Sequence, residues 1–231
     1  MSGAATSKLL AGAATAGSDL VATGGGSSAV KIFLLLTALS FGAALLLSVT
    51  SFTRIVIVLS FLRQALGTPQ LPPNQVILGL SLFLSLFVMA PTARTIHQQA
   101  LQPLFDDQIG VGEALQRAQG PLAAWMLKQT REDDLRLFFE VTGAARPKRG
   151  DAIPFTTLVP AFMVSELGTA FRMGLYLFIP MLLIDLLVSV ILMSLGMMMV
   201  PPTMVALPLK LGVFLLAGGW ELVVASLLRS F

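Results

Sequence analysis

The chain has 231 residues, of which 55 % are apolar and only 12 % are charged, whereas an average soluble domain has about 45–50 % apolar and about 25 % charged residues. This composition excludes a disordered chain, because disorder requires low hydropathy and high charge, and it leaves little polar surface to cover a water-soluble globule. The formal charge of +3 comes from few charged residues and indicates no nucleic-acid partner. With no cysteine and a single histidine, His97, the chain lacks disulfides and thiolate nucleophiles and has little to offer a metal site.

The charged residues are concentrated in the middle of the chain. Of 27 charged residues, 18 lie between Arg94 and Arg172, nine of them basic and nine acidic. Three uncharged runs of 22, 30 and 24 residues occupy positions 32–53, 64–93 and 186–209, and each exceeds the ~20 residues that cross a hydrocarbon core. We therefore predict an all-α, membrane-type protein with two long apolar helical hairpins around an amphipathic helical middle segment.

This distribution divides the chain into four segments. Residues 1–30 are rich in Ala, Gly, Ser and Thr and lack the apolar core of a signal peptide, so we expect a flexible polar tail. Residues 31–93 are predicted to form the N-terminal apolar hairpin, and residues 94–172 the charged amphipathic segment. Residues 173–231 are predicted to form the C-terminal apolar hairpin, with a methionine-rich turn.

In the N-terminal hairpin, one helix is predicted from near Lys31 to Leu66. The Gly and Pro residues that follow prevent a new helix before Asn74. Asn74 is expected to cap a second helix that continues to Ala90, and Pro91 is expected to end or kink it. The short connector makes the two helices antiparallel neighbours.

The middle segment has the helix boundaries of a soluble protein. Apolar positions at helical spacing predict a helix over residues 111–119, and Gly120-Pro121 is expected to break it. Thr130 stands three residues before Asp133, which resembles the capping box of a further helix. Gly143 is expected to end that helix.

The C-terminal region is apolar but rich in proline. A helix is predicted over residues 174–200, Pro201-Pro202 force a turn, and a helix is expected again over residues 205–228. Pro180 and Pro208 lie inside these segments. Irregular backbone at membrane depth is tolerated only where protein or a water-filled cavity surrounds it, so we expect these helices to pack on other subunits.

Four charged residues are isolated in or beside apolar sequence: Arg54, Glu166, Asp185 and Lys210. An ionisable group in lipid costs roughly 2.5–3.5 kcal/mol on insertion scales. We therefore expect these side chains to face protein and to form ion pairs between helices or between subunits, although the sequence does not choose the partners. A proton relay through them is an alternative interpretation, which the lack of a histidine among them disfavours.

Gly196 and Pro201-Pro202 place Met197, Met198 and Met199 at a turn between two apolar segments. One interpretation is ordinary apolar filling at the end of a helix. The other uses the unbranched, adaptable side chain of methionine, which closes gaps against varied surfaces. A ring of such turns would form a soft seal.

The order of these motifs resembles a known family. Residues 50–68 (TSFTRIVIVLSFLRQALGT), followed by residues 72–76 (PPNQV), are similar to the signature of the FliP family of flagellar type III export-gate proteins. The similarity continues through residues 159–167, 178–186, 194–199, 207–211 and 226–231, and so covers the chain from about Lys31 to Phe231. The injectisome relatives of this family share the pattern more loosely.

The resemblance implies a channel-forming subunit of the export gate that admits unfolded flagellar proteins. Family members assemble as five copies in a homo-oligomeric ring with two smaller membrane proteins, FliQ and FliR, and with other components of the export apparatus. The resemblance places the assembly in the bacterial inner membrane, at the flagellar basal body, with part of it on the periplasmic side. It also assigns Met197, Met198 and Met199 to a gasket around the closed pore.

Two other functions compete with this one. The stronger alternative is a four-helix transporter or channel for small solutes or ions, with Asp185 and Lys210 in the transport path. The weaker is a membrane hydrolase, but Glu166, Asp185 and Glu221 have neither a paired spacing nor a nucleophile motif. We therefore expect no enzymatic activity and no cofactor, since the sequence also has no phosphate-binding loop.

Overall fold

The computed structural model describes residues 47–68, 70–143, 153–197 and 199–231, together with residues 32, 33, 36, 37 and 40. Throughout these residues all regular structure is helical, which confirms the all-α prediction. The helices are α1 (Phe52–Ala65), α2 (Asn74–Ile96), α3 (Gln102–Phe105), α4 (Val111–Gln129), α5 (Glu132–Thr142), α6 (Phe155–Ser194), α7 (Pro202–Leu216) and α8 (Gly219–Arg229). The predicted polar tail, residues 1–30, lies outside the described residues.

Two helices continue through prolines, of which Pro91 was expected to end or kink its helix and Gly120-Pro121 to break the other. Helix α2 passes Pro91 and joins α3 through a π-helical turn at His97–Leu101, and α4 passes Gly120-Pro121 without interruption. Proline inside a helix costs about 3 kcal/mol. Helix α4 packs on both α2 and α6, and this tertiary packing offsets the cost.

Two predicted caps are wrong. Helix α2 begins after Pro73 with no side-chain cap, and the Oδ1 atom of Asn74 accepts a hydrogen bond of 2.5 Å from Nη1 of Arg63 instead. Helix α5 also has no side-chain cap, because the hydroxyl of Thr130 donates to the Met126 carbonyl. Gly143 does end α5, in the left-handed conformation with φ of 63°.

The first hairpin is antiparallel, as predicted. At one end the hydroxyl groups of Ser51 and Ser85 lie 3.0 Å apart, and at the other end Arg63 binds Asn74. Between them the chain turns at Gly67, whose φ of 75° favours glycine. The part of the predicted first helix that precedes residue 47 lies mostly outside the described residues.

The second hairpin begins earlier than predicted, because α6 is one helix of 40 residues that contains Pro160 and Pro180. Helix α7 runs back along it, with Ala206 packed against Val188 and Leu192. The bend of 64° between α7 and α8 falls at Gly218, not at Pro208.

Within the described residues, two helices are long and apolar enough to cross a membrane, and the bent pair α7–α8 would make a third if it is one span. These two are the segment Asn74–Phe105 and helix α6. At 1.5 Å per residue α6 is about 60 Å long, twice the ~30 Å of a hydrocarbon core. A single perpendicular crossing would therefore leave about half of α6 outside the hydrocarbon. Residues 93 and 172 fall inside α2 and α6, so the segment boundaries mark changes of composition and not ends of helices.

Helix α1 lies parallel to α6 and supplies the centre of the core. Its buried face carries Ile55, Val58, Leu59 and Leu62, and the helices approach so closely at Gly174 that a Cβ atom there would lie 2.6 Å from the Phe61 ring. Phe61 in turn packs edge-on against Phe171, with ring centroids 5.3 Å apart. The spacing of α1 and α6 therefore depends on a glycine at position 174.

Gly174→Ala is expected to lower the free energy of unfolding by about 1–3 kcal/mol, because it forces the Phe61 ring out of place. Gly79→Ala is the matched control, since a Cβ atom at Gly79 has open space in helix α2 and alanine is the better helix former. Thermal unfolding in detergent measures both variants. Phe61→Leu added to Gly174→Ala should recover part of the loss, and equal stability of the two single variants would contradict this packing.

Candidate functional site: two ion pairs and a methionine turn

The first ion pair joins α1 to α6 in the interior. Both Nε and Nη2 of Arg54 donate to the carboxylate of Glu166, with Nε 2.9 Å from Oε2. Arg54 is 2 % exposed and Glu166 is fully buried. A guanidinium and a carboxylate in this two-point geometry form a strong and directional contact, so the pair fixes the rotation of α1 against α6.

The remaining donors of Arg54 hold the end of the chain. Its Nη1 lies 2.7 Å from the Ser230 carbonyl and 3.1 Å from the Ser230 hydroxyl, and the Phe231 ring packs 4.1 Å from the guanidinium carbon. Gln129 contributes from α4: its Oε1 accepts from Arg54 at 3.3 Å and its amide donates to the Phe231 carbonyl at 2.9 Å. One cation therefore connects α1, α4, α6 and the residues that follow α8.

A polar contact beside this pair brings in α5. The hydroxyl of Ser165 donates to Oδ2 of Asp134 at 2.6 Å and accepts from the main-chain N–H of Arg131 at 3.0 Å. Ser165 precedes Glu166 on α6, so the start of α5 is anchored next to the buried carboxylate.

The second ion pair joins α6 to α7. Lys210 Nζ lies 2.6 Å from Oδ2 of Asp185 and 3.1 Å from the carbonyl of Ala65. Ala65 is the last residue of α1, where the helix dipole favours a cation. Lys210 is 6 % exposed, and the pair borders a cavity of about 330 Å³ that is also lined by Gln64 and Thr203.

The methionine turn follows a well-formed helix end. Gly196 has φ of 74°, its N–H donates to the Met193 carbonyl, and the N–H of Met197 donates to the Leu192 carbonyl. These bonds form a Schellman motif, which stops α6 and turns the next residues outward. Met197 is 45 % exposed and Met199 is 97 % exposed, and Met198 lies outside the described residues.

Comparison with known proteins confirms the resemblance that the order of the motifs indicated. The profile of the FliP family matches residues 35–227. A flagellar biosynthetic protein FliP of Bacillus subtilis is 51 % identical over 205 residues, which cover 89 % of this chain and 93 % of that protein. The chain belongs to the FliP family. Flagellar biosynthetic proteins FliP of Pectobacterium carotovorum and Aquifex aeolicus are 51 % and 47 % identical, each over 87 % of this chain and over 78 % and 85 % of their own lengths.

This FliP-family chain exposes much apolar surface on its long helices. Phe83 and Phe87 of α2 are 72 % and 70 % exposed, and α6 adds Tyr176 at 74 % and a series of exposed leucines. Monomeric soluble proteins rarely expose apolar patches of more than a few hundred Å². Lipid or other protein chains must therefore cover these faces.

The structure places the four embedded charges in two pairs within one chain, Arg54 with Glu166 and Asp185 with Lys210. Sequence reasoning did not find the groups around them. Nothing in a single sequence marks the partners of Arg54 as unusual, because these residue types are common: Gln129, Ser230 and Phe231. The Ala65 carbonyl is a main-chain group, which only the fold brings to Lys210.

In the described part of the FliP-family chain, no three His, Asp or Glu side chains come together as metal ligands. The polar chemistry of the site is therefore that of ion pairs and hydrogen bonds.

Glu166→Ala is expected to lower the free energy of unfolding by about 3–5 kcal/mol, because it leaves the Arg54 cation buried without a counter-charge. The control is Glu113→Ala, which breaks an exposed pair with Arg117 on α4 and should cost no more than about 0.5 kcal/mol. Thermal unfolding in detergent checks both. Arg54→Met combined with Glu166→Leu should recover part of the loss, and wild-type stability of Glu166→Ala would refute the pairing.

Proposed function

We propose that this chain is a channel-forming core subunit of the flagellar protein export gate, where it provides the entrance pore for unfolded flagellar proteins. Its membership of the FliP family carries the proposal, since its relatives are named flagellar biosynthetic proteins. The apolar helices are compatible with a place in the bacterial inner membrane, at the base of the flagellum. The length of α6 favours a subunit that extends out of the membrane, and the family resemblance puts that part on the periplasmic side.

The proposed working unit is a ring of about five copies together with FliQ-like and FliR-like membrane proteins and further export components. The exposed phenylalanines and leucines of α2 and α6 are the surface that such neighbours would cover. Arg54 with Glu166 and Asp185 with Lys210 support assembly by giving each copy one fixed arrangement of helices before it meets the next.

The proposed seal is a ring of methionine turns, with Met197, Met198 and Met199 of each copy directed into the pore. Two observations support it. Met197 and Met199 extend from the tip of the α6–α7 hairpin into space that the chain itself does not fill, and a Schellman motif fixes where the turn begins. Methionine side chains adapt to one another and to a passing chain, which suits a seal that opens and closes.

A second candidate function is a small-solute or ion transporter. The observation in its favour is the cavity beside Asp185 and Lys210, since charged groups at membrane depth often mark a transport path. Against it, the amine of Lys210 is already bound by a carboxylate and a carbonyl.

Mass measurement of the extracted complex separates the two functions. The full-length chain, tagged and produced with its FliQ-like and FliR-like partners, is expected to purify in mild detergent as a fixed-ratio assembly with several copies of itself. Native mass spectrometry gives the ratio. A single copy that conducts solutes in liposomes without companions would overturn the export-gate proposal and support the transporter.

Replacing Met197, Met198 and Met199 by alanine is expected to leave the assembly intact and to make the resting pore leaky, because the shorter side chains no longer meet. Ion conductance of membranes that contain the complex measures the leak. The control is Met193→Ala, since Met193 is 59 % exposed on α6, before the turn, and should leave conductance unchanged. Equal conductance of the triple variant and the wild type would remove the sealing role.

A further inference from the structure

Two opposite charges on the apolar helices have no charged partner in the described residues. Arg172 lies on α6 and only donates from Nε to the Gly168 carbonyl of its own helix, at 3.3 Å. Glu221 lies on α8, and no hydrogen bond or ion pair involves its carboxylate in the described part of the chain. Both residues are exposed. They are therefore unlike Arg54, Glu166, Asp185 and Lys210, whose charges are matched inside the chain.

Both charges stand among exposed apolar side chains. Phe171 and Leu175 beside Arg172 are 54 % and 55 % exposed, and Leu222 beside Glu221 is 61 % exposed. Whatever covers these apolar residues also removes water from the charges between them. A charge without a counter-charge is costly in such a place, so the covering surface has to carry the opposite sign.

The two charges lie on helices that share one buried core. Ala170 of α6 and Val223 of α8 belong to the same buried cluster. Arg172 lies two residues after Ala170, and Glu221 lies two residues before Val223. Two residues correspond to a rotation of about 200° around a helix axis. Both side chains therefore leave the core on the outer faces of their helices, where a neighbouring molecule can reach them.

We propose that a second copy of this chain covers these faces, with Arg172 of one copy paired to Glu221 of the next. The contact joins two different surfaces, the outer face of α6 and the outer face of α8. Such a head-to-tail contact closes into a ring when the rotation between copies allows it.

The surroundings of Arg172 distinguish it from two other cations of the apolar helices. Arg63 is held by Asn74, and Arg229 lies on the same helix as Glu221, two turns further on. Arg172 stands between the exposed side chains of Phe171 and Leu175, which a neighbouring copy would cover. The inference rests on the proposed ring, and it specifies which two faces meet in that ring.

Cross-linking between differently tagged copies tests the contact. The chain has no cysteine, so Arg172→Cys in a copy with one tag and Glu221→Cys in a copy with another tag provide the only thiols of this chain. Both are produced as full-length chains with the FliQ-like and FliR-like partners and treated with a short bismaleimide. We expect a cross-linked pair that carries both tags, and no such pair when Glu221→Cys is replaced by the control Arg229→Cys.

Each result has a defined meaning. A doubly tagged product supports the contact. If a complex of normal size forms without this product, the contact is overturned and the proposed function stays intact. A cross-linked dimer of Arg172→Cys alone would have the same consequence, because it would indicate a two-fold contact. A wild-type chain that does not assemble overturns the proposed function and the inference together.

Charge exchange keeps the test decisive if the cysteine variants do not assemble. Arg172→Glu and Glu221→Arg are each expected to reduce the assembled fraction about tenfold or more, because each places like charges together out of water. The double variant should restore assembly. Sensitivity to Arg172→Glu alone, without rescue by the double variant, would overturn the pairing and indicate that Arg172 binds another anionic group, such as a lipid phosphate.

Discussion

The parallel contact of α1 with α6 determines how the rest of the chain is arranged. Arg54 and Glu166 join the two helices at one end, and Lys210 bridges Asp185 of α6 to the last carbonyl of α1 at the other. Between these points the helices meet through apolar side chains. Because hydrogen-bonded ion pairs are directional and apolar contacts are not, the two pairs set the register and the apolar surface supplies the adhesion.

The ion pairs are completed within one copy of the chain, whereas much of the apolar surface needs a neighbour to cover it. Arg54 is surrounded by partners from three other parts of the chain, whereas the phenylalanines of α2 and the outer leucines of α6 are left bare. A chain that balances its buried charges internally can reach a defined shape before assembly. On the long helices α2 and α6 the uncovered surface is then mainly apolar, apart from a few charges that can give an interface its orientation.

Sequence reasoning predicted the helical class, the two hairpins and the family, because long uncharged runs and ordered motifs are properties of the sequence itself. It also identified the embedded charges, since isolation in apolar sequence is visible without a structure. It did not predict the continuity of α2 and α4, because Pro91 and Pro121 carry a local penalty that tertiary packing offsets. Nor did it find Gly174, where the reason for a glycine is the Phe61 ring on another helix.

The position of the methionine turn follows from the same framework. Lys210 holds α7 against α6 at Asp185, and Ala206 packs on Val188 and Leu192 further towards the tip, so the hairpin is rigid up to the Schellman motif at Gly196. Beyond it Met197 and Met199 are exposed. The proposed seal would use both features, because the fixed hairpin would keep each copy in place while the methionine side chains adapt to one another. In that proposal the ion pairs set the position of the turn, and the turn provides the adaptability.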